Sequence, residues 1–235
     1  VGHSVEQIIT HTLKDMFTIT VSPEIKKACP EFAGVAVYAE VRNCRFNDKL
    51  WEEINAFTEE LTACTTMGDI KMHPVIAATR QTYKRCGKDP GRYRPSAEAL
   101  RRRLMRGISL YQIDTLVDLI NLVSLRTGYS IGGFDADKIQ GTQLELGIGR
   151  AEEPFEAIGR GTLNIEGLPV YRDARGGIGT PTSDEDRTKM GLSTTRLLAV
   201  VIGYSGKEGL IQAAEMIQCL LRDYAESDVG PVLFF

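Results

Sequence analysis

Apolar residues recur along this chain with two different periods, and the alternation between them outlines the fold. Leu50, Trp51, Ile54, Phe57 and Leu61 return every three or four positions behind Asn47 and Asp48, which predicts an amphipathic helix with a polar N-cap. Ile113, Leu116, Val117, Ile120 and Val123 do the same over Ile113–Arg126, and Gly128 is placed to terminate that helix. Further helices are predicted from Pro74 to just before Gly87, from Ser96 as cap with Glu98 in the first turn, and from Glu208 to Ala225. Short apolar runs of β-branched and aromatic residues predict strands at Met16–Val21, Val35–Val41 and Leu197–Ile202, with a closing edge strand at Pro231–Phe235. Pro23–Ala28 reads as one helical turn, and Asp89-Pro90-Gly91 as a turn. Between 131 and 170 glycines punctuate short runs such as Thr142–Ile148 and Thr162–Ile165, a turn-rich β texture. No internal repeat or linker interrupts this order. The expectation is one domain over 1–235 of the α+β (mixed α/β) class, a layered mixed β-sheet with flanking helices.

Composition narrows the class. At 235 residues, 43% hydrophobic and 25% charged, the chain has enough apolar material for a packed core. No run of 18 uncharged apolar residues occurs, so no membrane span is expected. Val1–Thr10 has neither the basic start nor the apolar stretch of a secretory signal. Cys29, Cys44, Cys64, Cys86 and Cys219 are scattered, without C-x-x-C spacing, which suits reduced thiols and a cytoplasmic protein. His3, His11 and His73 lack partners at zinc-ligand spacing, so neither a metal nor another cofactor is expected. Gly206-Lys207 is followed by Glu208 rather than Ser or Thr, so it is not a P-loop. Neither a dinucleotide fingerprint nor a G-x-S-x-G elbow is present.

Charge is distributed unevenly. The formal net charge is −3, yet Arg80–Arg106 holds ten basic residues against Asp89 and Glu98. Such asymmetry suits a phosphate-rich partner, and arginine can grip a phosphate through two parallel hydrogen bonds. A solvated helix face would give the same count, and the consecutive Arg101, Arg102 and Arg103 point in three directions around a helix axis. Asp114, Asp118 and Asn121 share one side of the apolar helix, either as its wet face and loop caps or as the wall of a pocket. In Asp173–Lys189, Gly176, Gly177 and Gly179 permit close backbone approach, and Thr180, Thr182 and Ser183 add small hydroxyls. That loop is either a plain long turn or a ligand cradle.

Taken in order, several segments match a known pattern: Arg94–Arg102 (RPSAEALRR), Val117–Ser124 (VDLINLVS), and Gly132–Ile139 (GGFDADKI) with Gly141. Glu153-Pro154-Phe155, Tyr171 with Asp173, and Asp186–Lys189 (DRTK) follow. This order resembles the B3/B4 domain of the phenylalanyl-tRNA synthetase beta chain in a free-standing form, over roughly residues 29–202 and most specifically over 94–141. In the synthetase that domain houses the editing site, which hydrolyses phenylalanine tRNA wrongly charged with tyrosine. The resemblance therefore implies tRNA or aminoacyl-tRNA as partner and a possible ester hydrolysis in trans. The implied substrate pocket lies near Asp118, Asn121, Gly132, Asp135, Thr180 and Thr182, and the implied RNA surface at Arg92, Arg94, Arg101, Arg102 and Arg103. This chain departs from the pattern twice: Gly132 stands where the family has a pocket histidine, and Asp114 where it usually has asparagine. A non-catalytic RNA-binding module and an amino-acid or small-metabolite binder are the alternatives.

Overall fold

The computed structural model describes residues 17–228 and 230–235. In chain order the elements are β1 (Thr18–Val21), α1 (Pro23–Ala28), β2 (Ala33–Glu40), α2 (Asp48–Cys64), α3 (Pro74–Arg85), α4 (Ser96–Met105) and α5 (Thr115–Thr127). There follow β3 (Ile131–Asp135), β4 (Gln143–Ile148), β5 (Glu156–Ala157), β6 (Gly161–Thr162), β7 (Pro169–Arg172), β8 (Gly177–Gly179), β9 (Arg196–Gly203), α6 (Leu210–Tyr224) and β10 (Val232–Phe234). The expected α+β class is observed. Met16, His3 and His11 lie outside the described residues.

The strands form two four-stranded sheets, ordered β10-β2-β9-β3 and β1-β4-β7-β8, plus the small β5–β6 pair. The first is antiparallel throughout, and eight residues of β2 pair with eight of β9. The second is mixed, with β1 parallel to β4. Side chains alternate across the first sheet. Val35, Val37, Leu197, Ala199 and Val201 face α2, α5 and α6 in one core. Ala36, Tyr38, Leu198, Val200 and Ile202 face the second sheet in another, against Leu144, Leu146 and Tyr171. The result is three layers: helices, sheet, sheet. Both faces of β2 and β9 are covered, which is why their sequences run apolar without alternating.

Helix ends follow local chemistry. Asn47 caps α2 through Leu50 N–H, and Gly128 (φ +80°) closes α5 in the left-handed conformation. Three expectations shift. Ser96 is the first residue of α4 rather than its cap, its N–H turned to the Pro181 carbonyl at 2.7 Å. The α5 helix begins at Thr115, because Asp114 is its N-cap, accepting Val117 N–H at 3.0 Å. Thr162–Ile165 is not a strand; only Gly161–Thr162 pairs, with β5.

Candidate functional site

The arginine-rich segment divides into an internal half and an exposed half. Glu98 is fully buried, and Arg80 and Arg102 grip it from two sides, each at 2.7 Å. Arg101 is 6% exposed and donates to the Leu125 carbonyl near the C-terminal end of α5 at 2.6 Å. Lys88 is buried too, donating to the carbonyls of Asn164 and Glu166. Arg103 donates to the Ser109 carbonyl at 2.6 Å and lies over the ring of Tyr111. Arg92 and Arg94 are exposed and have no ion-pair partner among the described residues. Of the five arginines expected on an RNA surface, these two are presented freely, while Arg101 and Arg102 hold helices together.

The polar positions of α5 also separate. Asp118 is 1% exposed; it accepts Trp51 Nε1–H at 2.8 Å and Ile113 N–H at 3.1 Å. Burial pushes its pKa up to about 6, against the pull of those two hydrogen bonds. Asn121 is partly exposed on the same helix. Asp118 belongs to the helical layer, whereas Thr180 follows β8 in the outer sheet, so the two are not brought together.

In the 173–189 loop the Thr180 and Thr182 hydroxyls are engaged internally, whereas Thr188 Oγ1 is buried without a hydrogen-bond partner among the described residues. Thr180 Oγ1 accepts Thr182 and Ser183 N–H and donates to the Ser183 carbonyl at 2.9 Å, closing a tight turn. Thr182 Oγ1 meets Tyr83 Oη at 2.9 Å. Asp135 accepts Thr194 Oγ1–H at 2.9 Å and Asp137 N–H. Burial works against a charge on Asp173, but Arg187, bonded to both its oxygens, and three backbone N–H groups together hold its pKa below the usual carboxylate range.

One residue stands out that the sequence did not single out. Asp184 crosses to the edge of β3, where its Oδ2 accepts Gly133 N–H at 3.1 Å. Its Oδ1 faces Gly179 and Gly132: a Cβ on Gly179 would stand 2.7 Å from that oxygen, and one on Gly132 3.6 Å. The Phe134 ring closes the same space, 2.7 Å from a Cβ at 132 and 2.6 Å from one at 179. No cation pairs with Asp184 among the described residues, and the residue keeps some exposure to solvent. Desolvation pushes its pKa up to about 7, opposed by the Gly133 hydrogen bond. The backbone of Asp184 bridges to Gly179, and its carbonyl takes Ile158 N–H at 3.1 Å, so the carboxylate is fixed in place. Glu185, the next residue, lines a cleft of about 350 Å³ together with Phe155, Glu156, Arg175, Gly177 and Arg187. Gly132, Thr180 and Asp184 are therefore gathered at one place, with Asp135 one residue beyond Phe134 on the same strand. The departure at Gly132 has a physical counterpart, because Phe134 fills the space directly above it.

A family model described as the B3/4 domain matches residues 78–217, which takes in α4, α5, β3, the 173–189 loop and β9. The chain belongs to the B3/4 domain family. A search of curated protein sequences returns no match. Among solved structures, the B3/4 chain is similar to the crystal structure of an N-terminal fragment of the phenylalanyl-tRNA synthetase beta-subunit from Pyrococcus horikoshii. The TM-score is 0.45 at 15% identity, over 92% of this chain and 50% of that one. The B3/4 chain thus spans about half the length of that fragment. Every residue gathered around Asp184 lies within the matched range. Among the described residues of this B3/4 protein, no helix is long and apolar enough to cross a membrane, and no cluster of His, Cys, Asp and Glu is arranged to hold a metal ion.

Proposed function

We propose that this B3/4 protein binds the aminoacyl end of a transfer RNA and hydrolyses its ester, with Asp184 as general base. The observation that carries this is a carboxylate without a cation partner among the described residues and with a pKa near 7, fixed where the Gly132–Asp135 and Thr180–Asp184 segments meet. A base of that strength is half deprotonated near neutrality, where general-base catalysis works best. Asp184 would take a proton from water as the water oxygen attacks the ester carbonyl. The tetrahedral intermediate then collapses, and the departing ribose hydroxyl receives that proton, which regenerates the carboxylate. An aminoacyl ester is already labile, so orientation and one base suffice without a covalent nucleophile. Arg92 and Arg94 supply exposed charge for the RNA backbone.

The test is a panel of tRNAs carrying correct and incorrect amino acids, with ester release measured against buffer. At least one member should be deacylated faster by the protein. Asp184→Asn should lower the enzymatic rate about 100-fold or more. The rate above buffer should rise with pH and level off above about 7, as Asp184 loses its proton. If no ester leaves faster than in buffer, hydrolysis is ruled out. The second reading, binding without turnover, is favoured by the Phe134 ring over Gly132, and retained tRNA affinity without release would establish it.

A further inference from the structure

Two loops on the helical side of the molecule, 42–47 and 106–114, carry aromatic and aliphatic side chains out to solvent. Tyr111 is 66% exposed, Ile108 and Ile113 are exposed near it in sequence, and Phe46 is exposed on the other loop. They are held rather than loose. The Arg103 guanidinium lies 3.8 Å from the Tyr111 ring centroid. Phe46 stacks on Trp51, with ring centroids 6.3 Å apart and planes 12° off parallel. Asp118 ties the first turn of α2 to the 106–114 loop from beneath, accepting from both the Trp51 indole and the Ile113 backbone. Thr115 N–H also donates to the Cys44 carbonyl at 2.9 Å. Arg45 and Arg106 are exposed and have no ion-pair partner among the described residues. The carboxylates next to the apolar positions, Asp114 and Asp118, are buried and bonded, which leaves Asp48 and Glu52 at the start of α2, and Glu59 across a cleft from Ile108, as nearby exposed acids.

We infer that this ridge binds single-stranded RNA, with bases stacking on Tyr111 and Phe46 and phosphates meeting Arg45, Arg103 and Arg106. Flat aromatic faces interleaved with arginine suit a partner that is itself both aromatic and anionic. An apolar protein surface would have to desolvate three guanidinium groups without compensation. A duplex would keep its bases stacked on one another, out of reach of the rings. The choice of RNA rests on the proposed function; the stacking argument does not. The ridge also connects to the Asp184 site. Asn43 Nδ2–H donates to the Gly191 carbonyl at 2.9 Å, and Lys189, two residues before, bridges to Phe134. The single-stranded end of an RNA lying on the ridge would thus run beside the segment that borders the carboxylate.

Trp51 is the one tryptophan of the chain and lies under Phe46, so its fluorescence reports on occupancy of the ridge. Titration of the full chain with an unstructured RNA of about twelve nucleotides should give a saturable change. Tyr111→Ala should weaken binding about tenfold or more, and Tyr111→Phe should bind as the wild type does. Arg106→Ala should lower the slope of log affinity against log salt by about 0.7. A duplex of the same sequence should bind at least about tenfold more weakly. No saturable change, equal binding of duplex, or unchanged affinity in Tyr111→Ala would overturn the inference. So would self-association without RNA that Tyr111→Ala abolishes, since the ridge would then serve a protein partner. Measuring both oligonucleotide binding and ester release separates the two proposals. Oligonucleotide binding with no ester release in the wild type counts against hydrolysis alone, whereas ester release with no oligonucleotide binding counts against the ridge alone.

Discussion

The role proposed for Asp184 comes with a cost in stability. Its pKa is about 7 in the folded chain against an ordinary 3.8, so the folded state holds its proton more tightly than the unfolded state does. Its contribution to stability is therefore complete below pH about 3.8 and is lost as pH climbs through about 7. Asp184→Asn carries no such charge, so at pH 8 it should exceed the wild type by on the order of 2–4 kcal/mol, with the gap closing towards pH 4. Thermal melts of both proteins across that range measure the gap. Asp118, at about 6, adds a smaller slope of the same sign to both curves. Parallel curves would mean that Asp184 is not desolvated, and its candidacy as a base would go with them. Nothing in the sequence near Asp184 announces this environment. Its partner Gly133 lies 51 residues away, and the two glycines facing it act by lacking side chains. Thr180 and Thr182 were visible as hydroxyls in a glycine-rich loop, but sequence does not tell a hydroxyl offered to a ligand from one closing its own turn.

At the scale of elements, α3, α4 and α5 are held together by polar contacts buried between them. Glu98 on α4 receives Arg102 one turn along and Arg80 from α3, while Arg101 reaches the α5 carbonyl of Leu125. Glu98→Ala leaves two guanidinium groups facing each other without a counter-charge. Both keep some contact with water, so the loss should fall near the lower end of about 3–5 kcal/mol. Denaturant unfolding measures it, and a loss under about 1 kcal/mol would show these pairs to be as weak as surface ones. The four-residue spacing of Glu98 and Arg102 permits their pair, yet the sequence pointed Arg102 to an RNA surface instead; the Arg80 contact, across a loop, left no signal. The helices α2 and α5 could be read because each has an apolar face and a recognisable cap, Asn47 and Gly128 respectively. The division of the strands into two sheets could not be read. The apolar runs of β2 and β9 show that both faces are covered, without showing that the second cover is another sheet.

For the whole molecule, the first sheet is a wall common to two cores. Leu197 faces the helices and Leu198 the second sheet, and both are fully buried. Leu197→Ala and Leu198→Ala should each cost about 2–5 kcal/mol, and each should leave a single unfolding transition, because neither core has a wall of its own. Two separate transitions in either variant, seen by calorimetry, would divide the chain into independent units. The pairing of β2 with β9 also joins residue 33 to residue 203 and residue 40 to residue 196, segments far apart in sequence. On a ribosome, β2 emerges early and must wait, apolar on both faces, while more than 150 further residues are made before its neighbour exists. Synthesis of this protein therefore includes an interval in which a strand apolar on both faces has nothing to pair with, and a chaperone that shields the nascent segment over that interval would raise how much of the protein a cell obtains.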